Sequence, residues 1–340
     1  MLSIISVPTT GKSGLCKYHK RKGNLLLNKN PLLIYNPIAA QEKARLNLPL
    51  VESLLQEKNF SYELKLTDQP GAALLLAKSA AEEGRDLVIA AGGDGTVNEV
   101  INGIMRAEGT NWKRPALGVL PVGRGNDYAF GIGIPHDFKQ AVEILVKNQR
   151  QTLDVGKVTG GDFPEGRFFG NGVGLGFDTV VGFEAMKIKW LHGIASYLLA
   201  VIRTMFLYAH APVYELSYNA KTIQQPYLMV SIMNGRRMGG SFMMAPTSSA
   251  TDGKFDLCLA GDIKQHQILP VAVKFMSGTQ EKDPHVKMDR TSEITIKAIA
   301  GKKIPAHADG ETICVAGDFL KVEIVPLALD VITNLENARL

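Results

Sequence analysis

Cysteine is scarce in this sequence, and there is no long uninterrupted apolar run. The three cysteines, Cys16, Cys258 and Cys314, lie far apart and match neither a zinc pattern nor a disulfide framework, as expected in a reducing cytoplasm. The longest apolar stretch, residues 195–208, is interrupted by Arg203 and falls short of the roughly 20 apolar residues that a membrane-spanning helix needs. We therefore predict a soluble or peripheral protein without a transmembrane span.

The sequence also lacks a strong excess of charge of either sign. Its 38 Lys and Arg residues are nearly balanced by 33 Asp and Glu residues, which leaves a net charge of +5. So small an excess suits an anionic partner such as a nucleotide or an acidic membrane, but it suits an ordinary soluble enzyme equally well, and we predict no nucleic-acid partner. A basic run at 17–22 lies within residues 1–30, which lack the apolar segment of a secretory signal. We predict that residues 1–30 form a disordered extension.

The chain has 340 residues and is long enough for two domains, since one hydrophobic core rarely grows beyond about 250–300 residues. Strand and helix patterns alternate along the first half. We predict strands at 32–36, 61–66, 86–91 and 117–120, and helices at 40–57, 71–83, 97–105 and 138–145. This order predicts a parallel sheet covered by helices.

Beyond residue 151 the pattern changes to short strands with few helices between them. We predict strands at 213–218, 227–233, 254–260, 292–298 and 319–325, and helices near 189–209 and 263–277. Such a succession predicts a mostly antiparallel β domain. The predicted fold class is therefore an α/β domain followed by an all-β domain.

The clearest motif is Gly92-Gly-Asp-Gly-Thr-Val-Asn-Glu-Val100, between a predicted strand and a predicted helix. Glycines let the backbone approach a polyphosphate, and the N-terminus of the following helix offers free N–H groups to phosphate oxygens. Thr96 adds a hydroxyl, whereas Asp94 would repel phosphate unless a cation such as magnesium stood between them. A tight turn capped by Asp94 is the alternative, but the Thr-Val-Asn-Glu continuation favours a nucleotide site.

Two further motifs carry acidic side chains. Pro121-Val-Gly-Arg-Gly-Asn-Asp-Tyr128 follows the predicted strand at 117–120, and ligands of open α/β sheets bind at this end of the strands. Asp309-Gly-Glu311 places two carboxylates across a turn, where one of them can accept a proton from an alcohol whose oxygen attacks phosphorus. Alone, the first is typical of an ordinary polar loop and the second of a hairpin turn.

In this order, Gly92–Glu99, Gly125–Asp127 and Asp309–Glu311 resemble the signature set of the diacylglycerol kinase family, specifically the bacterial lipid kinases of the YegS/BmrU type. The resemblance covers about residues 31–327. It implies a kinase that transfers the γ-phosphate of ATP, with Mg²⁺, to the hydroxyl of a lipid at a membrane surface. It also implies a cytoplasmic protein that contacts the inner face of the membrane peripherally.

The resemblance further implies a domain division and two catalytic carboxylates. A nucleotide-binding domain related to those of NAD kinases and phosphofructokinases is expected at 31–150. A β-sandwich is expected at 151–327, with a C-terminal segment that packs back on the first domain. Glu311 matches the proton acceptor, and Asp309 is expected to support it by orienting the site or by contacting magnesium.

The nucleotide and ion sites follow from the same resemblance. The expected nucleotide-site residues are Asn36, Pro37, Ala40, Thr67, Gly93, Asp94, Gly95, Thr96, Val97, Asn98, Glu99, Arg124, Asn126 and Asp127. Asp252 matches a structural magnesium ligand beside the carbonyl oxygens of Ser249 and Lys254, and magnesium held through water is expected at Asp94, Asp127 and Asp154. The sequence departs from the family pattern at Ala39-Ala40, where Ser-Gly is usual, and at Arg124, where Thr or Ser is usual.

Two other functions stay open from the sequence. A soluble-substrate kinase of the NAD kinase type shares the Gly-Gly-Asp-Gly loop, although Asn98-Glu99 and the late Asp-Gly-Glu favour the lipid branch. A nucleotide-gated lipid-binding regulatory protein needs no catalysis, and the intact Asp309 and Glu311 argue against it. The lipid is left open among diacylglycerol, a ceramide-like alcohol, a polyprenol and phosphatidylglycerol, and a homodimer is one option for the assembly.

Overall fold

A computed structural model describes residues 30–108, 113–188, 194–207 and 211–334. The predicted N-terminal extension lies outside these ranges, apart from residue 30. In the part of the chain that the structure describes, no helix is long and apolar enough to cross a membrane.

The first half alternates strands and helices as predicted. Its elements are β1 (Leu32–Tyr35), α1 (Lys43–Glu57), β2 (Glu63–Leu66), α2 (Ala72–Glu82), β3 (Leu87–Gly92), α3 (Asp94–Arg106), β4 (Ala116–Pro121), α4 (Asp127–Gly131) and α5 (Phe138–Lys147). The strands pair in parallel in the order β2-β1-β3-β4. Every residue of β1, β3 and β4 is buried, which explains why these strands are continuous apolar runs rather than alternating ones.

The second half is mostly antiparallel. Its elements are β5 (Arg150–Gly160), β6 (Phe163–Phe169), β7 (Gly172–Gly176), α6 (Phe177–Lys187), α7 (Ile194–Leu207), β8 (Val213–Tyr218), β9 (Lys221–Pro226), β10 (Met229–Met233), β11 (Phe255–Ala260), α8 (Gln265–Ser277), β12 (Val286–Thr291), β13 (Glu293–Ala298), β14 (Ile304–Ala308), β15 (Glu311–Gly317) and β16 (Phe319–Ile332). One sheet has the strand order β12-β11-β10-β7-β14-β15. The predicted fold class, an α/β region followed by an antiparallel β-sandwich, is confirmed.

The last strand belongs to both halves of the chain. β16 pairs antiparallel with β13 and β5, and near its end Val331 aligns in parallel with Leu117 of β4. One ten-stranded sheet therefore runs through both halves. The pairing with β5 shifts register between Val325 and Leu329, where the carboxylate of Asp154 accepts the N–H of Leu327 over 2.7 Å.

The buried apolar side chains form three clusters. The first surrounds the parallel strands, and the second lies between the two sheets of the sandwich, where the rings of Phe169 and Phe255 stack at 5.7 Å. The third lies between the six-stranded sheet and α6, α7 and α8, and it includes Val181 and Phe275. Each fully buried side chain of this size contributes about 1.5–3 kcal/mol to the free energy of folding. This third cluster forms one wall of the candidate site.

Candidate phosphoryl-transfer site

Two glycine loops meet at the carboxyl ends of β3 and β4. The N–H of Gly123, after β4, donates a hydrogen bond to the carbonyl oxygen of Gly92 over 3.2 Å. A Cβ atom at position 123 would lie only 2.3 Å from the Cα atom of Gly93. Backbone therefore touches backbone at this joint. The N-terminus of α3 lies beside this joint, and its free N–H groups can bind phosphate oxygens. The arrangement therefore fits a polyphosphate.

Replacing Gly123 with alanine is expected to push the loops apart and to weaken ATP binding by about tenfold, because relieving such overlap costs about 1–3 kcal/mol. Calorimetric titration with ATP measures the loss. Gly131→Ala is the matched control, since a Cβ there has nothing within 4 Å. Equal ATP affinity in the two variants would contradict a phosphate-binding role for the joint.

Polar side chains from α3 and from the residues directly after β1 line the same crevice. Asn36 Nδ2 donates to Thr96 Oγ1 over 2.9 Å, and its Oδ1 accepts the N–H of Ile38 over 3.1 Å. Arg124, on the other loop, is exposed and lines the same cavity, as suits a cation that pairs with phosphate. Ala40 lies in the left-handed region at a φ of 52°, a backbone conformation that favours glycine.

Two acidic side chains lie together behind the loops. Asp94 Oδ1 accepts the N–H of Tyr128 over 3.0 Å, while Asp127 accepts Arg237 Nε over 2.7 Å and the N–H of Gly240 over 3.0 Å. Burial, and next the neighbouring carboxylate of Asp127, raise the pKa of Asp94 to about 7. A carboxyl group whose pKa is raised by burial and by a second carboxylate, beside a phosphate crevice, fits a site for a divalent cation. The residues present therefore suit Mg²⁺ bound with ATP.

Asp309 is the most heavily hydrogen-bonded carboxylate of the site. Its Oδ1 accepts the N–H groups of Asn171 and Gly172, each over 2.9 Å. Its Oδ2 accepts the N–H of Gly170 over 2.8 Å and Asn98 Nδ2 over 3.0 Å. Four donors occupy the lone pairs of this buried group, which favours the orienting role over direct contact with magnesium. Asp309 thereby ties the β14–β15 turn to β7 and to α3.

Glu311 points toward the start of α3. Its Oε1 would lie 2.4 Å from a Cβ atom placed on Gly95. Burial raises the pKa of Glu311, the guanidinium of Arg167 opposes this from 4.0 Å, and the carboxylates of Glu99 and Asp309 add to the rise. Arg167 is itself held by Asn98, whose Oδ1 accepts its Nε over 2.9 Å. A carboxylate with a raised pKa at a phosphate loop is suited to taking up a proton.

The structure places most of the expected nucleotide-site residues on one cavity wall. These are Asn36, Ala40, Thr67, Gly93, Asp94, Gly95, Thr96, Glu99, Arg124 and Asp127, whereas Pro37, Val97, Asn98 and Asn126 do not line it. Val97 and Asn98 are buried in the interior. The carboxylate of Glu99 accepts the N–H groups of Gly71 over 2.8 Å and Ala73 over 3.1 Å, so it caps the N-terminus of α2.

The expected structural ion site lies elsewhere, in the loop before β11. Asp252 Oδ1 accepts the N–H of Lys254 over 3.0 Å, and Oδ2 pairs with the guanidinium of Arg290. Ser249 Oγ hydrogen-bonds to Thr251 Oγ1. Among the described residues no cluster of three or more acidic, His or Cys side chains is arranged to hold a metal. The ion site at Ser249, Asp252 and Lys254 therefore stays a prediction, with Arg290 as a competitor for the cation.

A cavity of about 660 Å³ joins the phosphate loops to the third apolar cluster. Part of its wall consists of the loop residues described above together with Glu311. Most of the rest is apolar and is contributed by α6, α8 and the adjoining strands, and it includes Phe177, Val181, Met229, Ile268, Val271 and Phe275. A cavity of this size lies within the range of about 300–1,000 Å³ that encloses small-molecule ligands. It can hold a polar group at the loops and an apolar chain behind it.

Several residues of the site escaped the reasoning from sequence. Arg167 and Arg237 contact the carboxylates, and Asn171, Asp178 and His307 line the cavity. A signal existed only for Asp178, which follows the glycine-rich strand β7 at a strand-to-helix junction like the one at Gly92. The others are brought to the site by contacts between distant parts of the chain.

Comparison with known proteins agrees with this geometry. Residues 30–158 match the model of the diacylglycerol kinase catalytic domain, and residues 171–333 match that of the YegS C-terminal NAD kinase beta sandwich-like domain. A Bacillus subtilis relative named diacylglycerol kinase is 30% identical over 83% of this chain and 90% of its own length. A Staphylococcus carnosus relative of the same name is 27% identical over 84% of this chain and 89% of its own.

A solved structure shows the same fold. The crystal structure of a diacylglycerol kinase from Bacillus anthracis aligns with a TM-score of 0.66 at 21% identity, over 90% of this chain and 97% of the other. ATP and Mg²⁺ are typical of the family that these relatives represent. The chain is thus an ATP-dependent kinase with an alcohol acceptor and belongs to the diacylglycerol kinase family.

Proposed function

We propose that this kinase transfers the γ-phosphate of ATP to the hydroxyl of a membrane lipid, diacylglycerol or a related lipid alcohol. The observation that carries the proposal is the single cavity that joins the glycine loops, Glu311 and the apolar side chains of α6 and α8. A kinase for a soluble polar substrate such as NAD would have no use for so large an apolar wall. The relatives named diacylglycerol kinase support the same substrate class.

In the proposed reaction the lipid hydroxyl oxygen attacks the γ-phosphorus. A new oxygen–phosphorus bond forms, the bond to the oxygen that bridges the β- and γ-phosphates breaks, and ADP leaves. Glu311 takes the hydroxyl proton as the new bond forms, because the acidity of the alcohol rises only then. The protein otherwise acts by positioning and by electrostatics. Arg124 and the N-terminal N–H groups of α3 face the polyphosphate, and Asp309 fixes the turn that carries Glu311.

The acidic pair Asp94 and Asp127 would hold Mg²⁺ through its water shell. When bound, the ion neutralises phosphate charge during transfer. Arg237 and Gly240 keep the carboxylate of Asp127 in place for this task. The expected ATP and magnesium sites thus involve both halves of the chain.

Labelled-ATP phosphorylation tests the proposed function. The protein is incubated with labelled ATP, magnesium and a total lipid extract in micelles, and the product is identified by mass spectrometry. We expect label in an organic-soluble lipid phosphate and little ATP consumption without lipid. Transfer of the labelled phosphate to NAD, or ATP consumption at the same rate with and without lipid, would contradict a lipid acceptor and favour a soluble one.

A lipid acceptor requires contact with a membrane, and we place that contact on the outer face of α8. Leu269, Val273 and Met276 lie on this face and are 41%, 64% and 49% exposed. Their positions recur at helical spacing. The opposite face of the same helix, including Val271 and Phe275, forms the apolar wall of the cavity. An apolar surface on the far side of the lipid-lined helix suits peripheral binding at the inner face of the membrane.

Val273→Asp is expected to lower activity on phospholipid vesicles by about tenfold, since a charge replaces one anchoring apolar side chain. Activity on a dispersed short-chain lipid should change little. Leu46→Asp is the control, because Leu46 is 80% exposed on α1, in the other half of the chain. Vesicle sedimentation and activity assays measure both effects. If the two variants lost equal activity on vesicles, the proposal that α8 contacts the membrane would be wrong.

A further inference from the structure

One largely buried arginine, Arg167 in β6, lies behind the catalytic turn rather than in the cavity. Its side chain is 13% exposed, and it is not among the residues that line the cavity. Its Nη2 atom lies 4.0 Å from Glu311 Oε2, and no other carboxylate of the described residues lies as close to it. Burying a charge is costly unless an opposite charge lies near it. Glu311 is therefore the ionic partner of Arg167.

Two contacts hold the guanidinium of Arg167 in place. Its Nε donates to Asn98 Oδ1 over 2.9 Å, and its Cζ lies 5.1 Å from the centroid of the Phe163 ring, a distance at which a cation and an aromatic face attract each other. The amide of Asn98 also donates, through Nδ2, to Asp309 Oδ2 over 3.0 Å. One amide thus holds both the cation beside Glu311 and the carboxylate that fixes its turn.

The hairpin of β5 and β6, which carries the arginine, is fastened to β15, which begins at the glutamate. In the turn of this hairpin, the N–H of Asp162 donates to the carbonyl oxygen of Ile313 over 3.0 Å. A Cβ atom on Gly161 would lie 2.7 Å from the Cβ atom of Cys314, so the turn packs closely on β15. The separation of the two charged side chains is therefore set by backbone contacts as well as by their own conformations.

The two oxygens of Glu311 have different surroundings. Oε2 faces Arg167, whereas Oε1 faces Gly95 at the start of α3. The terminal torsion of a glutamate is broad, so a carboxylate without a fixed neighbour samples many orientations. A general base must lie within hydrogen-bond reach of the proton that it takes. A cation that attracts Oε2 therefore keeps Oε1 on the side of the phosphate loop.

We propose that Arg167 is a positioning residue that holds Glu311 Oε2, so that Oε1 stays directed at the place where the lipid hydroxyl attacks the γ-phosphorus. This role rests on the proposed lipid kinase reaction, in which Glu311 is the base. Because Arg167 lies outside the cavity wall, it acts through Glu311 and not on ATP or lipid. Its loss should lower the rate of transfer and leave nucleotide binding unchanged.

Arg167→Met tests this role, since methionine keeps an apolar stem against Phe163 and removes the cation. We expect kcat on lipid micelles to fall by about tenfold to a hundredfold, as for a misplaced catalytic group. The KM for ATP should change by less than about twofold. Arg167→Lys keeps the charge but not the guanidinium that Asn98 holds, and its kcat should lie between those of the wild type and Arg167→Met.

A double-mutant cycle separates positioning from a general structural role. In the Glu311→Gln background, Arg167→Met should lower kcat no further, because the carboxylate on which the arginine acts is already gone. Arg106→Met is the matched control. Arg106 Nη2 donates to the carbonyl oxygen of Gly166 over 2.5 Å, so it fixes the same strand from the opposite end of α3. Its kcat should stay near that of the wild type.

The possible results decide between the roles of Arg167. If Arg167→Met causes its full loss in the Glu311→Gln background as well, the arginine is structural and the positioning role is wrong. A raised KM for ATP with an unchanged kcat would make it a phosphate contact instead. Both results leave the lipid kinase function standing. Near-wild-type turnover in Glu311→Gln would overturn the positioning role together with the base, and a wild type that phosphorylates no lipid would overturn the proposed function as well.

Discussion

Glu311→Gln is expected to lower kcat by about 10²–10⁴-fold while ATP affinity stays nearly unchanged. Glutamine keeps the shape of the side chain but cannot take the proton from the lipid hydroxyl. Steady-state kinetics with saturating lipid and magnesium, together with ATP titration, measure the two quantities. Glu293→Gln is the control, because Glu293 is 55% exposed and pairs with Lys321. Near-wild-type turnover in Glu311→Gln would overturn the assignment.

The pH dependence of kcat offers a second measurement of the same role. A general base works only when it is ionised, and the pKa of Glu311 is raised, chiefly by burial. Glu311 therefore takes up a proton at a higher pH than an ordinary glutamate does. We expect kcat to fall on acidification earlier than a normal carboxylate would cause, and the residual activity of Glu311→Gln to lack this acid limb.

Asp309→Asn is expected to damage both stability and turnover. An asparagine amide would direct its own N–H₂ at two of the N–H donors that now bind the carboxylate, and the lost charge leaves the others weaker. Breaking a buried, fully hydrogen-bonded charge costs about 2–5 kcal/mol. Chemical denaturation measures the fall in the free energy of unfolding, and kcat should fall because the turn bearing Glu311 loses its support.

Asp318→Asn is the control for Asp309→Asn, since it removes a carboxylate that is exposed rather than buried. A stable Asp309→Asn protein whose turnover is lower than that of Glu311→Gln would exchange the two assigned roles. Gly95→Ala gives an independent view, because the added Cβ would meet Glu311 Oε1 rather than backbone. Its fold should survive while the carboxylate is displaced.

The fold could be predicted best where local pattern and burial agree. Strands β1, β3 and β4 are short apolar runs between helical patterns, and each was predicted within two residues of its bounds. The strand β5 was missed because glycines and charged residues interrupt its 11 residues, and β9 because it is polar and mostly exposed. The strand β16 was predicted to end at 325, whereas it continues to Ile332 past Pro326 through a bulge.

The candidate site could be predicted from the sequence only where a short local motif carries its residues. Loops that carry their own glycines could be recognised from the sequence, and so could the Asp-Gly-Glu turn. The role of Glu99 could not, because the helix that it caps begins 26–28 residues earlier in the chain. Asp178 and His307 likewise lie far apart in sequence and meet only because β7 and β14 are neighbours in one sheet.

The strand shared by both halves has a mechanical consequence. β16 pairs with β4 on one side of its bulge and with β13 on the other. A hinge motion that separates the two halves of the chain would therefore have to break backbone hydrogen bonds between strands. The frame around the catalytic carboxylates is therefore stiff, and we expect it to behave as one unit in hydrogen exchange. Passage of a lipid must then rely on displacement of α6, α7 and α8, whose inner faces pack on the frame largely through the apolar side chains of the third cluster.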